Sequence, residues 1–207
     1  MKTHRVWLAV AVALCLVGGC TGKGEVVDLN LVGAPDKDLP KVKGAEGLTI
    51  AVGAFEDLRP EQKRLGKRTH LGGGDTYFQV PGGNSADAVA KMVGDYLAAR
   101  GWRVVSARSG AAQPDVVLTG KIQDLVVHAK GRFMATDLTA KSKLSVQAKN
   151  AADGSTVNLI VFGTADDTEF WFDLEDAQEI VNDALNKSLD FLVAQTKVEG
   201  RTLRLLD

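Results

Sequence analysis

Three long stretches in the second half of the chain decide the fold: "DVVLTGKIQDLVVHA" at 115–129, "ATDLTAKSKLSVQA" at 135–148 and "TVNLIVFGTADDTEFWF" at 156–172. Each stretch largely alternates apolar and polar residues, which is the pattern of a strand with one buried face. The segments between them are short and polar, around Lys130–Arg132 and at Asp153–Gly154. Asp-Gly is a favoured turn of β-hairpins. The sequence therefore predicts an antiparallel meander of three long strands.

Two amphipathic segments predict the main helices. Asn84 or Ser85 can cap a helix that runs to about Arg100, and Asp173 can cap a second helix to about Thr196. In both segments the apolar residues recur at helical spacing. Each helix therefore has one face to bury.

The first strand of the domain is predicted at "LTIAVGAF", residues 48–55. Residues 56–84 contain many glycines and predict a long loop, with a short strand at "TYFQV". The strand "WRVVSA" follows the first helix. The resulting prediction is an α/β (α+β) fold with a mostly antiparallel sheet and two main helices packed on one face.

The N-terminus has the pattern of a secretory leader. Lys2 and Arg5 precede an uncharged run at 6–17, and these 12 residues are fewer than the ~20 that a membrane-spanning helix needs. The run ends at Val17-Gly18-Gly19-Cys20, which resembles the bacterial lipobox. We expect residues 1–19 to be removed as a signal peptide and Cys20 to become an acylated N-terminus. The alternative is a buried or disulfide-bonded Cys20, although the one other cysteine, Cys15, lies in the leader.

The lipobox resemblance implies a location. Lipoproteins of this class typically carry three acyl chains, and Thr21 after the cysteine favours the outer membrane of a Gram-negative cell, facing the periplasm. Residues 20–47 then predict a flexible tether, and 48–207 a single periplasmic domain. Within the tether, "EVVDLNL" at 25–31 alternates like a strand and is an alternative edge strand.

Composition excludes one class of partner. Without residues 1–19 the chain has 23 basic and 26 acidic residues, a net charge of −3. A general nucleic-acid binder usually has a strong basic excess. We therefore expect no nucleic-acid partner, and a membrane partner through the lipid anchor.

The segment "FEDLRPEQKRLG" at 55–66 carries a family resemblance. A strand followed by Asp57, Arg59 and Pro60, and then by Leu65-Gly66, is similar to the YajG-like family of bacterial lipoproteins. The helix ending in glycine and the C-terminal helix fit the same layout, over most of residues 20–195. The resemblance implies a fold and an envelope location, but no biochemical activity.

Charged residues of the long loop are candidate contacts. Asp57 and Arg59 could bind a ligand, or could fix the shape of the loop through a charge-assisted pair. The basic cluster could contact anionic head groups or acidic polymers, or could be solvated. Its members are Arg59, Lys63, Arg64, Lys67, Arg68 and His70.

The C-terminal part of the chain is acidic. Residues 151–186 contain nine carboxylates and no Lys or Arg, but lack the spacing of a calcium loop. A calcium site around Asp166–Glu169 is one alternative, and pairing of this segment with the basic loop is another. We expect neither a metal nor a cofactor. Trp171 could be exposed and contact a partner, or could pack in the core.

Function follows from location rather than from a catalytic motif. No G-x-S-x-G motif or phosphate-binding loop is present. We expect a non-enzymatic lipoprotein, without catalytic residues, that binds a protein partner or an envelope polymer. The alternatives are an accessory factor of lipopolysaccharide or peptidoglycan assembly, and a cell-wall hydrolase, which a carboxylate pair in a cleft would favour.

Overall fold

The computed structural model describes residues 24–36, 39, 41–106 and 113–206. The predicted leader and Cys20 lie outside the described residues. The strands are β1 (Glu25–Asp28), β2 (Thr49–Asp57), β3 (Gly66–Thr69), β4 (Asp75–Gln79), β5 (Arg103–Ser106), β6 (Val116–Arg132), β7 (Ala135–Asn150), β8 (Thr156–Glu169), β9 (Thr196–Glu199) and β10 (Thr202–Leu205). The helices are α1 (Ser85–Ala99) and α2 (Leu174–Ala194), with short 3-10 turns at Ala45–Gly47 and Pro81–Gly83.

The three-stranded meander is confirmed. β6 pairs antiparallel with β7, and β7 pairs antiparallel with β8. The first turn lies further along the chain than predicted, because pairing continues to Arg132 and Ala135 and leaves Phe133 and Met134 as the turn. Met134, the second residue of this turn, has a φ of 61°, which is the positive φ that a type II turn has at this position.

The sheet forks at the other edge of β6. The first half of β6 pairs with β2, from Val116 to Ile122, and the second half pairs with β3, from Val127 to Lys130. On one branch β2 pairs with β5. On the other branch β3 pairs with β4, and β4 pairs with β1. Pairs along both branches include parallel ones, so the sheet is mixed, although its two longest ladders are antiparallel.

The α+β class is confirmed, and two strands, β3 and β9, are added to the prediction. The predicted loop 56–84 contains the antiparallel pair β3–β4. The sequence prediction missed β3 because "GKRT" has neither apolar alternation nor a β-branched run.

Both helices begin at the predicted caps. The side chain of Asn84 accepts a hydrogen bond from the backbone N–H of Asp87. Asp173 and Asp176 form a reciprocal capping box at the start of α2. The apolar faces of both helices are buried in one core with the inward residues of the sheet. The opposite face of β6 and β7 carries no helix in the described structure.

The N-terminal segment is part of the domain, not of a tether. β1 pairs with β4, which confirms the edge-strand alternative, and Leu29 is fully buried. The backbone N–H groups of Asn30, Val32 and Ala34 then donate to side-chain oxygens of Gln178, Asn182 and Asn186 on α2. The predicted tether 20–47 therefore does not hold for residues 25–36.

The N-terminal segment fits along α2 because the repeat distance of an extended chain matches that of the helix. Four residues of a helix rise ~6 Å, and two residues of an extended chain span ~6.6 Å. Amides at every fourth position of α2 therefore meet every second N–H of the segment.

The C-terminal hairpin β9–β10 packs at the end of the sheet where β6 begins. Asn150 donates to the carbonyl of Leu203 (3.0 Å) and accepts from its N–H (2.8 Å). Arg201 Nε donates to the buried carboxylate of Asp115 (2.7 Å). The alternative in which "RTLRLL" forms a last strand is confirmed.

Candidate functional site

A pocket of about 380 Å³ opens on the helix-free face of the sheet, at the fork. Its lining comprises Arg59, Pro60, Glu61, Arg64, Leu65, Gly66, Lys67, Tyr77, Gln123, Asp124, Val126 and His128. The volume lies within the range of roughly 300–1,000 Å³ that small-ligand sites occupy. The pocket is therefore large enough to hold a side chain or a small ligand.

Arg59 is a buried residue of the pocket lining. Its guanidinium donates to both oxygens of Asp57, at 2.9 and 2.7 Å, and to the carbonyl of Leu125 at 2.7 Å. Further bonds go to the carbonyl of Arg64 and to the hydroxyl of Ser85. The Arg59 side chain is 5% exposed. Its hydrogen bonds supply partners to carbonyl and hydroxyl groups that would otherwise be buried at the fork without a donor.

Leu65 and Gly66 close the loop onto β6. Leu65 is buried, and its carbonyl accepts from the N–H of Val127 at 2.8 Å. A Cβ on Gly66 would lie 1.8 Å from the carbonyl oxygen of Val127, and the φ of Gly66 is 150°. Glycine is therefore required at this position. Asp57, Arg59, Leu65 and Gly66, which carry the family resemblance, all fix the same loop.

Two cations lie on the rim. The guanidinium of Arg64 stacks 3.6 Å from the centre of the Tyr77 ring, a cation–π contact. Lys67 Nζ lies 2.8 Å from Asp75 Oδ2. The hydrogen bond from Lys67 lowers the pKa of Asp75 and raises that of Lys67. The rim of the pocket therefore combines the cation of Arg64 with an aromatic ring, while the charge of Lys67 is paired with Asp75.

Arg68 and Trp171 lie away from the pocket. Arg68 projects from β3 toward the other side of the sheet, with its guanidinium 4.0 Å from the Phe172 ring centre, and burial lowers its pKa. Trp171 is 89% exposed in the loop between β8 and α2. The structure therefore brings Asp57, Arg59, Arg64 and Lys67 together and separates Arg68 and Trp171 from them.

Several lining residues were not predicted from sequence, among them Tyr77, Gln123, Asp124 and His128. A β-bulge between Ile122 and Asp124 interrupts the β6–β7 register. Gln123 and Asp124 both line the pocket as a result. A break in alternation at "IQDL" was the available signal.

A second, acidic groove lies between β8 and α2. It has a volume of about 130 Å³ and is lined by Asp166, Asp167, Glu169, Asp176, Glu179 and Asp183, with Leu138 and Ile180. Burial, followed by the neighbouring carboxylates, raises the pKa of Glu169. Within the described ranges, no group of three or more His, Cys, Asp or Glu has an arrangement that could hold a metal ion. The groove is below the usual size of a ligand site.

Comparison with known proteins supports the fold. No family model matches the chain, and no curated protein matches it in sequence. The structure is similar to protein XCC0632 of Xanthomonas campestris, assigned to family DUF330, with a TM-score of 0.52 and 14% identity over 82% of this chain and 93% of that one.

A more remote similarity is to the Neisseria meningitidis lipoprotein GNA1162. The TM-score is 0.37 and the identity 9%, over 72% of this chain and 96% of that one. Neither neighbour is described as an enzyme.

No helix in the described part of the chain is both long and apolar enough to cross a membrane.

Proposed function

We propose that the protein is a non-enzymatic, YajG-like lipoprotein, anchored through Cys20 to the outer membrane and facing the periplasm. Its pocket at the fork of the sheet binds an extended segment of a protein partner or of an envelope polymer. The observation that carries this proposal is the preformed pocket, whose loop is held by the buried guanidinium of Arg59. A fixed, concave surface of mixed polarity is what a binding site requires.

The lining indicates what kind of segment would bind. Tyr77, Leu65 and Val126 offer apolar contact, while Arg64 puts a cation on the rim and Lys67 is paired with Asp75. Such a surface suits a chain that alternates apolar groups with carboxylates or phosphates.

Photo-crosslinking in intact cells tests this proposal. A photoreactive amino acid replaces Gln123 in the pocket, and a matched variant carries it at Gln147, which is exposed on β7. We expect a reproducible adduct from position 123 and none from position 147. Absence of an adduct at 123, in cells where the anchored protein is present, would contradict the proposal.

The identity of the adduct separates two versions of the proposal. Lipopolysaccharide or peptidoglycan machinery in the adduct would make the protein an accessory factor of that assembly. An adduct with another envelope protein or polymer would support the general binding role.

One observation favours a second candidate function. Glu61 and Asp124 both line the pocket, and paired carboxylates in a cleft are the catalytic groups of glycosidases. A cell-wall hydrolase would release soluble fragments from purified peptidoglycan, and Asp124→Asn would abolish this release. No release by the unaltered protein would exclude that candidate.

A further inference from the structure

Three loops and the start of the described chain meet at one end of the sheet. β3 and β6 run parallel and end together, so the turn after Thr69 lies beside the β6–β7 turn. A Cβ on Gly131 would be 3.1 Å from the backbone nitrogen of Leu71, which shows how close the two turns are. Glu169, the last residue of β8, pairs with Thr136, so the β8–α2 loop reaches the same end.

These loops expose apolar side chains. We define the apolar tip as Leu71, Phe133, Met134, Phe170 and Trp171, which are 65, 82, 63, 69 and 89% exposed. Among the described residues, four aromatic side chains are exposed, and three of them belong to this tip. A concentration of exposed aromatic and aliphatic groups marks an interaction surface.

The chain enters the domain at this same end. The N–H of Gly24 donates to the carbonyl of Asp75 at 3.0 Å, and β1 then runs parallel to β4, away from the tip. Cys20 is four residues before Gly24. Four residues span at most about 14 Å, so an acyl anchor on Cys20 would lie close to the tip.

We propose that the apolar tip inserts into the interfacial layer of the same bilayer that holds the acyl chains of Cys20. This inference rests on the proposed lipid anchor and adds a second membrane contact. Trp and Phe side chains favour the boundary between head groups and acyl chains. The domain therefore stands with β6 and β7 pointing away from the membrane, and the β7–β8 turn is its distal end.

Charges near the tip indicate which lipid surface suits it. Arg132 pairs with Asp137, and Lys67 pairs with Asp75, while Glu169 and Asp173 add negative charge. No net basic surface results, so insertion requires no anionic lipid and depends little on salt. This distinguishes the tip from electrostatic binding by a basic loop.

The test uses the acylated protein, purified from membranes and reconstituted in phosphatidylcholine vesicles. Removal of residues 1–19 would leave Cys20 as the sole cysteine, so one introduced thiol can be labelled with a polarity-sensitive fluorophore. The positions are Phe133→Cys and Trp171→Cys at the tip, and Ala152→Cys in the exposed β7–β8 turn. β7 has 16 residues, which separate the turns by about 50 Å.

We expect blue-shifted emission and strong quenching by nitroxide-labelled lipid at positions 133 and 171, unchanged by salt. At position 152 we expect neither. If the protein carries its acyl chains and all three labels report water, the tip inference is wrong while the anchor stands. If Cys20 carries no acyl chain, the anchor fails and the inference fails with it.

A protein partner on the tip would give a different result. Labels at 133 and 171 would then be shielded in cells but exposed in pure lipid vesicles, which would overturn the membrane as the occupant. A further variant tests the side chains themselves. With the label at Phe170→Cys, we expect Phe133→Ser plus Trp171→Ser to abolish the blue shift, and the matched Ile160→Ser, at an exposed position on β8, to leave it unchanged.

Discussion

Arg59 shows how one buried cation can hold a loop and a sheet together. Its guanidinium joins Asp57, the carbonyl of Leu125 on β6 and the hydroxyl of Ser85 on α1. Between Ile122 and Val127, the edge of β6 that faces the two branches has no strand partner. The planar five-donor group therefore replaces part of a strand's hydrogen bonds.

We predict that Arg59→Ala destabilises the protein by about 3–5 kcal/mol, because it leaves the carboxylate of Asp57 buried and unpaired. The stability of Arg59→Lys should lie between those of the unaltered protein and Arg59→Ala, since an ammonium keeps the charge but not the planar set of five donors. Urea unfolding measures both. The control is Lys63→Ala, at an exposed position of the same loop, with an expected change within about 0.5 kcal/mol. Equal midpoints for Arg59→Ala and this control would refute the structural role.

We predict that Gly66→Ala costs at least about 2 kcal/mol, because its Cβ would meet a backbone oxygen that cannot move without breaking β3 from β6. Gly72→Ala is the matched control. No atom lies within 4 Å of its Cβ position, so we expect a change below about 1 kcal/mol. Thermal melts of the two variants compare them directly. Similar melting temperatures would show that the Gly66 contact is not rigid.

The loop residues could be identified from the sequence, but most of the groups that they contact could not. The spacing of Asp57, Arg59 and Leu65-Gly66 singled out the loop, and a structural role for the Asp57–Arg59 pair was one of two alternatives. Apart from Asp57, the acceptors of Arg59 are backbone carbonyls and the hydroxyl of Ser85. Carbonyls have no sequence signature, so pattern alone could not identify them.

At the scale of elements, the amides of α2 hold the N-terminal segment. Asn182 accepts from Val32 N–H at 3.0 Å and donates to the carbonyl of Asn30 at 3.1 Å. We predict that Asn182→Ala speeds hydrogen exchange of the Val32 amide about fivefold or more, as the loss of a ~1 kcal/mol bond implies. Asp183→Ala, which removes only an exposed pair with Lys187, is the control. Unchanged exchange in Asn182→Ala would mean that the ladder does not hold the segment.

A second element-scale prediction concerns acid. Arg201 and Arg204 of the β9–β10 hairpin contact Asp115 and Asp153. Burial of Asp115 opposes ionisation, but hydrogen bonds from Thr49 and Arg201 lower its pKa overall. Hydrogen bonds from Ser155, and then Arg204, lower the pKa of Asp153 to about 2.

Because both pKa values are lower in the folded state, the carboxylates stabilise it above the ordinary pKa of about 4. This stability is lost as the pH falls from about 4 toward 2. We expect the urea midpoint to drop over that range, and Asp115→Asn plus Asp153→Asn to flatten the drop. The control Glu46→Gln, at an exposed site, should leave the drop of the urea midpoint unchanged. A full drop in the double variant would show that other groups are responsible.

Elements with strong local patterns were predicted, and those fixed by distant contacts were not. The meander and both helix caps follow from alternation and capping residues. β3 is a four-residue strand that exists because β6 and β4 flank it. The packed N-terminal segment depends on amides 148 to 152 residues away in the chain, beyond the reach of a local pattern.

At the scale of the whole molecule, the topology gives the domain two different ends. One end collects the apolar tip and the entry of the chain at Gly24, and the other holds the β7–β8 turn and the β9–β10 hairpin. The fork pocket opens on the helix-free face between them. The fold class could be predicted from the sequence, but only the register of the strands shows that the exposed aromatics lie at the end where the chain enters at Gly24.

Mass spectrometry of the intact protein, purified from its native membrane, tests the central proposal most directly. We predict a chain that begins at Cys20 and carries three acyl chains, with residues 1–19 absent. A chain that begins at Met1, or an unmodified Cys20, would contradict the membrane-anchored account.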